Sequence, residues 1–94
     1  MTAYFAARFS IKDADLLAQY SKQAAPIIAS FGGKLLFKGG ADTILTGQTQ
    51  MPGIAVFEFP SQEKLDEFYN SRAYEDLKPA REAGADMVLS GHNS

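Results

Sequence analysis

The chain has 94 residues, enough for one small domain, with nine basic and eleven acidic side chains spread along it for a formal charge of −2. That balance argues against nucleic acid and anionic membrane surfaces as partners, and no apolar run approaches the ~20 residues needed to span a bilayer. Cysteine is absent, which excludes disulfides and thiolate metal sites and fits a reducing, cytoplasmic setting.

Residues Ala3 to Ile11 alternate as a strand does. Ala3, Phe5, Ala7, Phe9 and Ile11 fall on one face, and Tyr4, Ala6, Arg8 and Ser10 on the other. Asp13 suits a helix N-cap, with Asp15 near the positive end of the helix dipole. Leu16, Leu17, Tyr20, Ala24, Ile27, Ile28 and Phe31 then recur at helical spacing, a single buried stripe. Pro26 removes one backbone donor from that helix and predicts a kink or tightened turn near Lys22 to Ala25. Gly32-Gly33 closes it.

A second strand is predicted at about Lys34 to Lys38. Beyond Gly39-Gly40, the stretch Asp42 to Thr46 again has strand composition, giving either a hairpin or one long strand bent by a glycine bulge, the latter slightly favoured. Gly47 to Pro52 is a polar loop. Ile54 to Phe59 forms the next strand, apolar except for Glu58, and Pro60 stops it. Ser61 caps a helix carrying Leu65, Phe68 and Tyr69, and Ser71 caps another with Tyr74, Leu77, Ala80 or Arg81, and Gly84 at helical spacing, bent at Pro79. A final strand at Ala85 to Leu89 precedes a polar tail, Ser90 to Ser94, predicted to fray.

This order is that of the ferredoxin-like βαββαβ unit, an α+β fold with a four-stranded sheet of antiparallel type and all helices on one face. The first and third strands become central neighbours, taken here to run parallel. Both carry apolar residues on both faces, so the face without helices predicts a homodimer through the sheet.

AYFAARF before the Asp13 helix, FGGKLLFKGG, VFEFPS and FYNSRAYEDLKPAR resemble the corresponding segments of the domain-of-unknown-function family numbered 1330, over about the whole chain. The resemblance implies a dimeric α/β barrel. Its wider superfamily includes monooxygenases without cofactor, isomerases, haem enzymes and effector-binding modules, so fold alone narrows function little. Phe68 departs from the family pattern, in which a tryptophan often precedes the tyrosine.

Arg8 and Glu58 are the candidate catalytic residues. Each is fifth in its strand phase, counted from Tyr4 and Ile54, so level parallel strands would set them side by side. The pair reads either as a structural ion pair or as an anion-recognising arginine with a carboxylate base. Tyr20, Tyr69 and Tyr74 offer hydroxyls to the same pocket or pack in the core, and Lys38 offers a positive charge near a ligand or a solvated strand edge. His92, the single histidine, stands in the tail, so neither a metal site nor a cofactor is expected. Glu75, Asp76, Lys78, Arg81 and Glu82 read as a solvated helical face. Three functions stay open: a metal-free enzyme on a small organic substrate, a small-ligand binding module, and a purely structural assembly.

Overall fold

The alternation of small and aromatic residues near the N-terminus fixes which side of the sheet the helices cover, and everything else is placed relative to it. The computed structural model describes residues 2–41 and 43–93. Its elements are β1 (Ala3–Ile11), α1 (Ala14–Ser30), β2 (Lys34–Gly40), β3 (Gly53–Phe59), α2 (Gln62–Tyr69), α3 (Arg72–Glu75), α4 (Lys78–Gly84) and β4 (Ala85–Asn93). The strands form one sheet in the order β2-β3-β1-β4.

Every neighbouring pair is antiparallel, including β1 and β3, which corrects the parallel arrangement expected for the central strands. The reason is topological. The α1 crossover returns the chain so that β2 runs in the direction of β1, and the hairpin that follows reverses it. β3 must therefore oppose β1.

Ala3, Phe5, Ala7 and Phe9 are buried beneath the helices, while Tyr4, Ala6 and Ser10 are half-buried and Arg8 is exposed on the open face. On β3 the buried set is Gly53, Ala55 and Phe59. Phe68 of α2, fully buried, presses on Phe5, Phe59 and Tyr74 with ring centroids 5.6, 5.4 and 4.6 Å away. Aromatic contacts of this kind add to the burial of the rings themselves.

The helix termini follow their sequence signals. The Asp13 carboxylate accepts from the Leu16 N–H at 3.1 Å, and the Ser61 and Ser71 hydroxyls accept from the Lys64 and Tyr74 N–H groups. Helix α1 ends in a Schellman arrangement: the Gly33 N–H reaches the Ile28 carbonyl, the Gly32 N–H reaches that of Ala29, and Gly32 takes φ +84°, where a Cβ would be strained. Pro26 lies inside α1, yet the helix continues as one element on both sides of it. Leu16, placed on the buried stripe by spacing, is 38% exposed. Pro79 sits in the first turn of α4, where its missing donor costs nothing, and the predicted bend appears as the break between α3 and α4.

Two boundaries differ from the sequence reading. β2 ends at Gly40, no strand forms over residues 43–46, and Asp42 lies outside the described residues, so neither the bent strand nor a hairpin turning at Gly39-Gly40 forms, and β2 instead pairs with β3 across a long loop. The Ala41 N–H bonds to the Pro52 carbonyl across the loop base, and the irregularity in register falls between Leu35 and Phe37 instead of at the glycines. Thr43, Ile44 and Leu45 have strand propensity without a neighbouring strand to pair with, and propensity alone does not make a ladder. The C-terminal segment, predicted to fray from Ser90, instead pairs along the whole of β1 as far as Ala3 opposite Asn93. The β1 backbone needs partners on both sides, and those bonds are indifferent to side-chain polarity.

The helical layer is offset over the sheet. The Lys12 and Asp13 N–H groups bond to the Gly84 carbonyl at 2.9 and 3.1 Å, pinning the start of α1 to the end of α4. With the helices drawn together there, all seven residues of β2 stay exposed.

Candidate functional site

The antiparallel register separates the two charges that a parallel one would have joined. Glu58 stands opposite Tyr4 and Lys34, and Arg8 opposite Ile54. Arg8 and Glu58 share the open face but lie four positions apart along it, about 13 Å at ~3.3 Å per residue. Among the described residues neither takes part in an ion pair. The side-by-side placement is therefore overturned, because counting both strands in the same direction inverted one of them.

The sheet also divides the other candidates from that pair. Tyr20 and Lys38 border a cleft on the helix side, while Tyr74 and Tyr69 lie behind it. The cleft has a volume of about 460 Å³. Its floor is formed by Phe5, Ala7, Phe9 and Ala55 of the central strands, its roof by α1, and its outer wall by Leu35 and Lys38 of β2. A second hollow of about 380 Å³ shares Phe9, Leu17, Ser21 and Lys38 with it and extends past Gly39-Gly40. The two make one trough with Ser21 and Lys38 at the junction. Space remains for two local reasons: α1 presents Ala18, Ser21, Ala24 and Ala25 where larger residues would fill the gap, and no helix covers β2. The volume is within the range of small-molecule sites, and the lining is mostly apolar with few polar groups.

Three side chains, from α1, α3 and α4, form a largely buried polar chain that begins at Tyr20. The Tyr20 and Tyr74 hydroxyl oxygens are 2.7 Å apart, and Arg81 donates from Nη1 to the Tyr74 Oη at 3.1 Å. The guanidinium carbon is 5.9 Å from the Tyr74 ring centre, and the Arg81 side chain is only 13% exposed. Burial, reinforced by Tyr74, raises the Tyr20 phenol well above its ordinary value. For Arg81 burial pulls down, yet the hydrogen bond to Tyr74 and the nearby Tyr69 outweigh it and raise the guanidinium pKa. Tyr69 packs its ring 5.5 Å from that of Tyr74 and carries the Lys78 ammonium 4.8 Å from its own ring centre. Lys78 is itself held by Glu75 at 2.9 Å, the hydrogen bond that raises its pKa.

Arg81, offered by its spacing as a member of the Tyr74 and Leu77 stripe, also reads in the sequence as part of a solvated charged face, and its 13% exposure corrects the second reading. Arg81 follows Tyr74 by seven residues across the break between α3 and α4, and its guanidinium reaches back to the hydroxyl of a tyrosine that the aromatic pattern already buries. The cleft had a signal too, in the alanines at 24 and 25 facing the alanines at 7 and 55.

The open face carries Tyr4, Ala6, Ile54 and Val56 on the central strands, with Phe37 and Val88 more than half exposed on either side. It is an apolar surface with Arg8 and Glu58 within it and no helix over it.

The family model described as a domain of unknown function, DUF1330, matches residues 2–90. No curated protein matches the chain. Among solved structures, a protein of unknown function from Rhodopseudomonas palustris is 18% identical, with 99% of this chain and 82% of that one covered and a TM-score of 0.85. SnoaB, a cofactor-independent oxygenase from Streptomyces nogalater, is 10% identical over 99% and 92% of the two chains, with a TM-score of 0.72. A dimeric ferredoxin-like protein of unknown function from Jannaschia sp. CCS1 is 10% identical over 100% of both, with a TM-score of 0.70. At these identities the likeness is one of fold, and it agrees with the α+β, ferredoxin-like arrangement described above.

Proposed function

The chain belongs to the DUF1330 family, and from that premise we propose that it is a homodimeric small-molecule-binding protein whose ligand occupies the cleft between α1 and the sheet. The observation that carries this reading is the cleft itself: about 460 Å³, floored by aromatic and small apolar side chains, with Lys38 at its outer wall. Such a lining favours a flat, largely apolar organic molecule, and the Lys38 ammonium at the rim favours one carrying an anionic group. Dimerisation is supported by the apolar open face and by the dimeric protein of the same fold from Jannaschia. The open face then serves association, and Arg8 and Glu58 act there, as charges that set its register.

An enzyme acting on the bound molecule is the second reading. It is favoured by one observation, the Tyr20–Tyr74–Arg81 hydrogen-bond chain, which ends on Tyr20, a residue that borders the cleft.

The test is an NMR titration of uniformly labelled protein with 2-naphthoate. Shifts concentrated on Phe9, Ala24, Leu35 and Lys38 are expected, with affinity falling roughly twofold to fivefold in Lys38→Gln, the scale of a solvent-exposed charge interaction. Shifts confined to the open face, or no saturable binding, would refute the cleft as the site.

A further inference from the structure

The direction of the hydrogen bonds in the buried chain is decided by what Tyr74 can reach. Arg81 has only donors, so the Tyr74 oxygen accepts from it. Tyr74 is fully buried, and among the described hydrogen bonds its hydroxyl meets only Arg81 and Tyr20. If Tyr20 donated to Tyr74, the Tyr74 proton would be left without an acceptor in the core, at the cost of an unsatisfied buried donor. The consistent order is Arg81 to Tyr74 to Tyr20. Tyr20 then accepts from Tyr74, and its own proton has no protein acceptor among the described hydrogen bonds. Of the three residues, Tyr20 alone borders the cleft.

We infer that the Tyr20 hydroxyl is the hydrogen-bond donor that recognises an oxygen acceptor on the ligand, a carbonyl or an oxyanion, with Tyr74 and Arg81 as positioning residues that keep its proton directed at the cleft. The inference rests on the cleft being the binding site. It adds a chemical requirement that an apolar lining does not impose: ligands with an acceptor at that depth are preferred over isosteres without one. The arrangement is cooperative, because Arg81 polarises Tyr74 and Tyr74 in turn strengthens Tyr20 as a donor.

A matched pair of neutral probes tests it without involving the lysines. 2-Acetylnaphthalene and 2-ethylnaphthalene are nearly equal in size, and only the first carries an acceptor. Wild-type protein is expected to bind the acetyl compound about tenfold more tightly, the scale of one good hydrogen bond. Tyr20→Phe should lose that preference and keep its affinity for the ethyl compound. Tyr74→Phe should reduce the preference while retaining both probes. A second measurement needs no variant: the stretch of the isotopically labelled carbonyl in bound 2-acetylnaphthalene should lie at lower wavenumber than in an apolar solvent. Equal affinities in the wild type, a preference that survives in Tyr20→Phe, or an unshifted carbonyl each overturn the role of Tyr20 while leaving the cleft reading intact. Failure of wild-type protein to bind either probe overturns both.

Discussion

Replacing Gly53 with alanine tests the link between packing and cleft directly. A Cβ built at Gly53 meets Phe9 Cε2 well inside contact distance, and Phe9 Cδ2 and Cζ at 2.6 Å. Carbon atoms sit comfortably at ~3.5–4.0 Å, so the ring must retreat by about 1 Å. Gly53 does not adopt a positive φ, so alanine fits the backbone and should gain about 0.4–1 kcal/mol by restricting the unfolded chain. Crowding a buried ring costs about 1–3 kcal/mol, and sterics therefore win by roughly 1–2 kcal/mol. For a domain of this length that lowers Tm by about 4–16 °C. Phe9 borders both hollows of the trough, which is the direction in which it can move. Gly53→Ala should thus weaken 2-naphthoate binding as well as lower Tm in differential scanning calorimetry. Adding Phe9→Leu should recover part of the stability in a double-mutant cycle. A Gly53→Ala variant as stable as wild type with unchanged binding would refute the reasoning.

Two other outcomes follow from the same geometry. Val56→Asp or Val88→Asp, each placing a carboxylate on the open face, should convert a dimer to a monomer of 10.2 kDa in analytical ultracentrifugation, since a buried unpaired charge costs several kcal/mol; a wild-type monomer at micromolar concentration sinks the dimer outright. Burial raises the Tyr20 phenol above its usual value near 10, so folding favours the protonated form. Its contribution is fully present below about pH 10 and is lost as pH rises toward the folded value, so stability should fall on the alkaline side, less steeply in Tyr20→Phe. Phenolate absorbance should show Tyr20 ionising only with alkaline unfolding; reversible ionisation in the native protein near pH 10 would contradict this.

The parts of the fold legible in the sequence were those set by local chemistry. Asp13, Ser61 and Ser71 marked helix starts because their side chains bond the nearest orphan N–H groups, and the Phe5–Phe9 alternation marked a face because a strand repeats every two residues. Strand direction was not local. It depends on how many times the chain reverses between β1 and β3, and one miscount brought Arg8 and Glu58 together on paper when the register holds them four positions apart. The site was legible only in fragments. Tyr20, Tyr74 and Lys38 are candidates legible in the sequence, but the sheet separates them from Arg8 and Glu58, with which one pocket would have joined them. What makes the cleft is the smallness of residues, and small residues announce themselves weakly. Arg81 was hidden by its acidic and basic neighbours, with which it shares a helix and little of its environment.

The sheet's two faces give β1 an unusual sensitivity to changes in length. Its even-numbered residues belong to the surface available for association, and its odd-numbered ones to the floor beneath α1. Deleting or inserting a single residue between Ala3 and Phe9 would rotate part of the strand by half a turn and exchange the two sets. On the roles proposed above, association and ligand capture would then be lost in one event, even though no residue is assigned to both. Point substitutions, in contrast, can adjust either property alone. Substitutions at Ala7 or Phe9 would then alter the floor beneath α1 without touching the open face, provided the spacing along β1 is held constant.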